Sequence, residues 1–426
     1  MKRYAYALSF VFLLLWFGIG SAFDMTARTG FIFDWWKDTE DNRGRQFYTP
    51  IELEARHGDI SLSLLTAYGY THFDGIAQPV PFFAFFSNKE DRSLTHFLDT
   101  KLNFSYEIVG KLPVDILLGL DFNLPTGKTD LRAKDLAAIM DPDLISINNF
   151  GEGFNINPTL SLARELGDWV FGISAGYLWR GKYDFGFTQE TPFFAQKIRD
   201  YDPGDIFNSN AEVRYYFSPN WQGRLFGNYT WYGKNEWKQR DLSPFFTVTS
   251  KIRHQEGELY SLGLGLHHSR KKWDADLAFR GIFREKNKLM ERNQAGRNLL
   301  GSFPRFSTEP ENSHGKEWVG DFVLRYFLDD KTTFQSHFQV LLIQKNDYSS
   351  HPDIFSSSVN RFVGRREKYS LGFGATRKFG KHVEAELFVK GFLMHDEEAF
   401  FPEFPFFRSE RNYKGFSLGG QLAYRF

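Results

Sequence analysis

At the C-terminal end of the chain, Phe416, Leu418, Gly420, Leu422, Tyr424 and Phe426 alternate with Gly415, Ser417, Gly419, Gln421, Ala423 and Arg425. A two-residue period throws successive side chains to opposite sides of an extended strand, so this segment has one apolar face and one polar face. The pattern recurs with Trp221, Leu225, Tyr229 and Trp231 against Gln222, Arg224, Asn228 and Thr230. It returns with Val383, Ala385, Leu387 and Val389 against His382, Glu384, Glu386 and Lys390. Such a chain must fold as sheet. Alternation alone fits a soluble sandwich and a membrane barrel equally well. Aromatic placement favours the barrel, because Trp169, Phe171, Tyr177 and Trp179, like Trp221 and Trp231, fall toward the two ends of an apolar face, as interfacial girdles do.

The connections specify a topology. Strands are expected near residues 25–36, 46–56, 60–71, 94–108, 113–123, 154–165, 169–183, 207–217, 220–233, 257–268, 272–285, 317–327, 332–345, 367–378, 382–395 and 412–426. Each is long enough for the roughly 9 to 11 residues a tilted strand needs to cross hydrocarbon. Short turns at His57-Gly58-Asp59, Val109-Gly110-Lys111, Gly167-Asp168, Ser218-Pro219-Asn220, Ser269-Arg270-Lys271, Asp329-Asp330 and Gly380-Lys381 alternate with longer loops centred near residues 40, 82, 140, 195, 245, 300, 355 and 403. The expected fold is therefore all-β: a transmembrane, antiparallel, up-and-down barrel of about 16 strands, with short periplasmic turns and long extracellular loops. Both termini fall on the turn side.

The composition agrees. The 426 residues contain 52 Lys+Arg, 52 Asp+Glu and no cysteine. Balanced charge argues against a nucleic-acid partner, and the lack of thiols excludes disulfides, Cys-ligated metals and a thiol nucleophile. A mean hydropathy of −0.41 does not fit a bundle of transmembrane helices. Lys2 and Arg3 precede an apolar run that closes on Gly20, Ser21 and Ala22, the order of a secretory signal peptide over residues 1–22, with the barrel in 23–426. The terminal Phe426, with Tyr424 and Leu422 before it, suits recognition by the barrel assembly machinery. Together these place the chain in a Gram-negative-type outer membrane, in contact with outer-membrane lipid.

Leu120 to Lys128 reads Leu-Asp-Phe-Asn-Leu-Pro-Thr-Gly-Lys. The Leu-Pro-Thr-Gly turn at a strand end resembles the outer-membrane transporters grouped with the meta-pathway phenol-degradation proteins, a group broadly similar in architecture to fatty-acid and aromatic-hydrocarbon channels. Asn157-Pro158 and Gly176-Tyr177 continue the likeness, which covers about a sixth of the chain. The resemblance implies a channel or transporter. It departs from the fatty-acid channels in that strand pattern begins almost at the cleavage site, leaving no room for their N-terminal plug.

A barrel this wide encloses water by default. The candidate pore lining carries both signs: Arg180, Glu212, Arg214, Arg224, Asp274, Asp276, Arg280, Asp321, Arg325, Glu384 and Glu386, with Arg284, Asp99 and Asp115 beside them. Opposed acidic and basic ladders set up a transverse field that selects ions; the competing reading is a wall of ion pairs that only stiffens the barrel. Pro-Phe-Phe recurs at Phe82-Phe83, Phe193-Phe194, Phe245-Phe246 and Phe406-Phe407, either a greasy vestibule for apolar solutes or phenylalanines that pack loop on loop or rest on lipopolysaccharide and bind no substrate. The expected function is passive passage of small solutes, apolar or aromatic ones included, with no enzyme activity, no cofactor and no metal; a homo-oligomer is compatible. The alternative is a sheath for a periplasmic or surface partner such as an electron carrier.

Hydrolysis ranks lower, resting only on Ser313-His314, His351-Pro352-Asp353 and His395-Asp396. Gly127-Lys128-Thr129 lacks a phosphate loop's preceding glycine, which is Phe122. The acidic run from Asp200 to Asp205 lacks the spacing and distal Glu of an EF-hand. The leader pattern predicts that the exported protein starts at Phe23. Intact-mass measurement of the membrane-inserted protein tests this, and retention of the apolar run would overturn it.

Overall fold

The computed structural model describes residues 23–426 apart from 77–88, 130, 132–134, 136–139, 148–149, 185–187, 192–193, 243–246, 291–305, 350–361 and 402–405. Its wall consists of β1 (Asp24–Asp38), β2 (Arg43–His57), β3 (Ile60–Ile76), β4 (Lys89–Phe97, resuming as Thr100–Ile108), β5 (Asp115–Leu124), β6 (Asn155–Leu166), β7 (Trp169–Arg180) and β8 (Ile206–Ser218). It continues with β9 (Trp221–Tyr232), β10 (Leu259–Arg270), β11 (Trp273–Arg284), β12 (Glu317–Phe327), β13 (Thr332–Ile343), β14 (Arg366–Phe379), β15 (Val383–Asp396) and β16 (Arg411–Arg425). Both parts of β4 pair with β3, so the 17 segments of the sheet make 16 strands. Neighbours in sequence are neighbours in space and antiparallel throughout. Closure comes from β1 against β16, in unbroken register from Thr26↔Arg425 to Asp38↔Tyr413.

The register assigns every side chain to a face. Ala27, Phe31 and Trp35 of β1 lie opposite Tyr424, Gly420 and Phe416 of β16, and outward residues continue around the wall as Leu225↔Leu264 and Leu264↔Phe279. Leu264 is 61% exposed and Leu387 62%, which in water would forfeit the hydrophobic gain of burial. A closed wall with an apolar exterior spans a membrane, since closure pairs every strand and leaves no edge in hydrocarbon. Trp169 and Trp179 face outward at opposite ends of β7, and Trp221 and Trp231 do so on β9, giving the two aromatic girdles.

At the turn end, Gly58, Gly110, Gly167 and Gly380 adopt φ between 56° and 68°, the left-handed region that glycine enters without Cβ strain. The expected long loop near residue 40 is instead a tight connection over residues 39–42. The Asp38 carboxylate accepts hydrogen bonds from the backbone N–H of Glu40 (2.8 Å) and Asn42 (2.9 Å) and so caps the turn. Beyond the opposite rim, six short strands from Thr188–Thr191 to Phe306–Thr308 form a second sheet from the connections between β7 and β12.

Outward and inward positions of one strand should respond differently to charge. Leu264→Arg, near the middle of the outer face of β10, is expected to cost about 2–4 kcal/mol, and Ser261→Arg on its inner face much less. Urea titration of the protein folded into lipid vesicles measures both; equal costs would contradict the assigned faces.

Candidate functional site

The described residues of the connection between β5 and β6 (125–154) turn into the barrel rather than away from it. Sequence reading placed it among the outer loops; the contacts place it on the inner wall. The Leu-Pro-Thr-Gly turn starts the inward path. Leu98 and Asp99 interrupt β4, and the Asp99 carboxylate accepts bonds from the backbone N–H of Gly127 (2.7 Å) and Glu152 (2.6 Å) and from the Asn123 side chain (2.7 Å). Both ends of the segment are thus held by one buried carboxylate. Thr126 Oγ1 adds bonds to the backbone N–H of Thr100 (2.8 Å) and the carbonyl of Leu98 (3.1 Å). A Cβ on Gly127 would lie 2.0 Å from the Phe150 carbonyl oxygen, so the close approach requires glycine.

The segment supplies the apolar core that a barrel otherwise lacks. Met140, Leu144 and Ile145 pack with Trp36, Phe392, Met394 and Tyr413, all buried and all inward-facing residues of β1, β15 and β16. Leu131 and Phe150 pack against Leu94, and the Phe150 ring meets the buried His96 ring edge-on at 4.0 Å. Polar groups fix the position. Gln46 of β2 pairs with the backbone of Ile147 through both amide atoms, at 2.7 and 2.9 Å. Asp34 of β1, 1% exposed, accepts the Ser146 N–H at 2.8 Å.

The far side is held by charge. The Arg366 guanidinium on β14 contacts Asp396 at 2.6 and 2.8 Å, Asp141 at 2.7 and 3.1 Å, and Asp143 at 2.7 Å. Lys368 donates to the Asp143 carbonyl and lies 5.0 Å from the Phe392 ring centroid. Arg366 is the only cation in direct contact with all three carboxylates among the described residues. Its removal would take away the one cation that the three carboxylates share. A cavity of about 240 Å³ lies where the segment meets β2 to β5, lined by Tyr48, Ala67, Lys101 and Ile147 among others.

The segment contacts the arc from β14 through β1 to β5. The remaining wall carries most of the sequence-derived candidates. Register puts Arg180, Glu212, Arg214, Arg224, Asp274, Asp276, Arg280, Asp321, Arg325, Glu384 and Glu386 all on inward positions. Many are paired: Arg325 with Asp274 and Asp276, both at 2.9 Å, Arg214 with Glu212, Asp276 with His267 at 2.7 Å, Asp321 with His337 at 3.1 Å, and Glu384 with Arg425 at 3.9 Å. Arg180, Arg224, Arg280 and Glu386 have no side-chain ion pair among the described residues. Arg224 lies directly opposite Arg214, an arrangement that raises local positive potential.

The enzyme and metal candidates come apart. Ser313 Oγ donates to Glu309 at 3.0 Å while His314 Nε2 meets Asn287 at 3.1 Å, so neither activates the other. Burial, with Arg284 nearby, pushes the His314 imidazole down to about 4. His395 and Asp396 face opposite sides of the wall: His395 meets Asn412 outside at 2.9 Å and Asp396 meets Arg366 inside. His351 lies outside the described residues. Asp200 binds Lys238 (2.7 Å), Asp202 binds Lys182 (2.8 Å) and Asp205 accepts from Tyr177 (2.7 Å), so these carboxylates diverge rather than converge on an ion.

Of the loop aromatics, Phe82, Phe83, Phe193, Phe245 and Phe246 lie outside the described residues. Phe194 begins the loop strand Phe194–Asp202, and Phe406 and Phe407 pair by backbone with Phe401 and Phe400. The inward segment and its latch escaped sequence reading. The available signals were the break in β4 at Asp99 and apolar residues on inner positions, Trp36, Phe392, Met394 and Tyr413.

No family model and no curated protein sequence matches the chain. Among solved structures, the P. putida toluene transporter TodX aligns over 97% of this chain and 92% of its own at 9% identity and a TM-score of 0.41. The CymD monoaromatic hydrocarbon channel aligns over 95% and 88% at 9% identity and a TM-score of 0.42. Pseudomonas aeruginosa OccK7 aligns over 95% and 98% at 9% identity and a TM-score of 0.40.

Proposed function

We propose that the protein is an outer-membrane channel for passive passage of small solutes, narrowed by its own inward segment. The observation that carries this reading is that the described residues of the 125–154 segment line one arc of the inner wall and face an arc of polar and charged side chains. The lumen is thereby reduced to a passage with two unlike sides: a segment latched through Asp99, Asp34, Gln46 and Arg366, and a rigid wall bearing Arg224 and Arg280. Field lines concentrate in such a constriction. Of the eleven wall candidates, the arginines without an ion pair among the described residues (Arg180, Arg224 and Arg280) outnumber the one such acid, Glu386, which favours anions. The described lining suits water-soluble solutes; passage of apolar or aromatic ones rests on the loop phenylalanines. A sheath for an electron carrier is disfavoured because the segment takes up space that a partner would need.

Single-channel recording in planar bilayers tests the reading. The parent is expected to show a small, steady conductance with a reversal potential shifted toward anions under a salt gradient. Arg366→Ala should loosen Asp141 and Asp143 and raise conductance severalfold, with frequent gating, because the segment loses the cation it shares with Asp396 of β15. Unchanged conductance would mean that the segment does not set the bore. Arg224→Glu with Arg280→Glu should move selectivity toward cations while leaving the bore unaltered, and an unmoved reversal potential would remove those residues from the conducting path.

A further inference from the structure

The outer face of the wall carries one group of charges that the channel reading does not use. At the loop end of β16, β1 and β2, register places Lys414, Lys37 and Arg43 directly opposite one another, with Arg45 two positions further along β2. These positions share a face with Trp35, Phe47 and Phe416, which look outward, while the alternate residue Trp36 is buried inside against Met140. Directly opposed residues have Cα atoms about 4.5–5.5 Å apart, and like charges so placed destabilise a sheet. None of the four cations has an ion pair among the described residues. The nearest outward acids lie at the margin: Asp74 stands opposite Arg43 on β3, and Glu367 on β14 is taken by Arg365.

The apolar surface beside these charges is grooved. A depression of about 520 Å³ starts at Lys414 and is walled by Trp35, Phe416, Tyr369, Leu371 and Leu393, with Gly391 in its floor. Gly391 is an outward position, opposite Leu371 on β14 and Phe416 on β16. A Cβ there would approach only the Gly415 carbonyl oxygen, at 4.0 Å. The floor is therefore open for want of a side chain. The groove lies within the hydrocarbon-facing band, and the cations lie above it at the height of the headgroups.

We propose that this face binds a phosphate-bearing, multiply acylated lipid of the outer leaflet, its phosphates seated on Lys37, Arg43, Arg45 and Lys414 and one acyl chain in the groove over Gly391. Charge complementarity selects the headgroup, since a polyanion converts the opposed cations from mutual repulsion to shared attraction. The groove selects the chain. The tight connection at residues 39–42 leaves the cations of β1 and β2 without a long loop rising between those strands. Neither element depends on conduction, so the site stands or falls separately from the channel.

The test uses the full-length mature chain in detergent, with diphosphoryl lipid A as probe and native mass spectrometry as readout. One tightly retained lipid is expected per chain. The triple variant Lys37→Gln, Arg43→Gln, Lys414→Gln should lose affinity on the order of a hundredfold, whereas Lys271→Gln, Lys331→Gln, Lys381→Gln, which removes the same charge at the turn end, should bind as the parent does. Gly391→Leu should fill the groove and weaken binding severalfold with all cations intact. Without lipid the first triple variant should melt no lower than the parent, because repulsion has been relieved; this separates lost binding from lost folding. The proposal is overturned if the first triple variant keeps the parent's affinity, if both triple variants lose equally, or if inorganic phosphate displaces the probe completely at millimolar concentration.

Discussion

Pairing of every strand in the wall is the constraint from which the rest of this structure follows. In hydrocarbon an unpaired amide or carbonyl costs several kcal/mol, so a sheet can cross a bilayer only if its first and last strands meet. They do so along nearly the whole length of β1 and β16. Closure then obliges alternate residues to face lipid and lumen, and this explains how a chain with a mean hydropathy of −0.41 can carry 48 phenylalanines. Averaging over two opposite faces conceals an apolar exterior.

Closure also leaves a void, since a wall of this circumference is too wide for its own side chains to fill. The inward segment occupies part of that void. It behaves like a small hydrophobic core built on the inside of a barrel: Met140, Leu144, Ile145 and Phe150 are buried against inner positions that happen to be apolar. The ion cluster at Arg366 then fixes its far side. Packing and charge divide the work, the first excluding water from the seam and the second giving a direction and a release point. Because Asp99 holds both ends of the segment, displacement of its middle need not displace its roots, which is the mechanical requirement of a constriction that can vary.

Much of the wall was legible in the sequence because period-two alternation, turn glycines and strand length are local properties. The sixteen expected strands lie where the structure has them, and all eleven pore-lining candidates fall on inward positions, since parity alone decides the face once the register is set. What failed was non-local. The loop near residue 40 was read as long because Asp38 capping a tight turn looks, in sequence, like any polar stretch. The loop near residue 140 was read as external because its inward course depends on Asp99, distant in the chain and placed beside Gly127 only by the pairing of β4 with β5. The same holds for His395 and Asp396, adjacent in sequence and separated by the thickness of the wall.

The sequence by itself determined the fold class, the number of strands, their parity and the end at which the turns lie, because each of these follows from spacing along one strand or across one turn. Tertiary structure alone decided where the longest inner connection goes, which wall charges are cancelled by partners and which remain exposed, and how Lys37, Arg43 and Lys414 come to stand in a row. Those outcomes depend on the lateral register of strands far apart in the chain. In a closed barrel that register is set by the whole circumference at once.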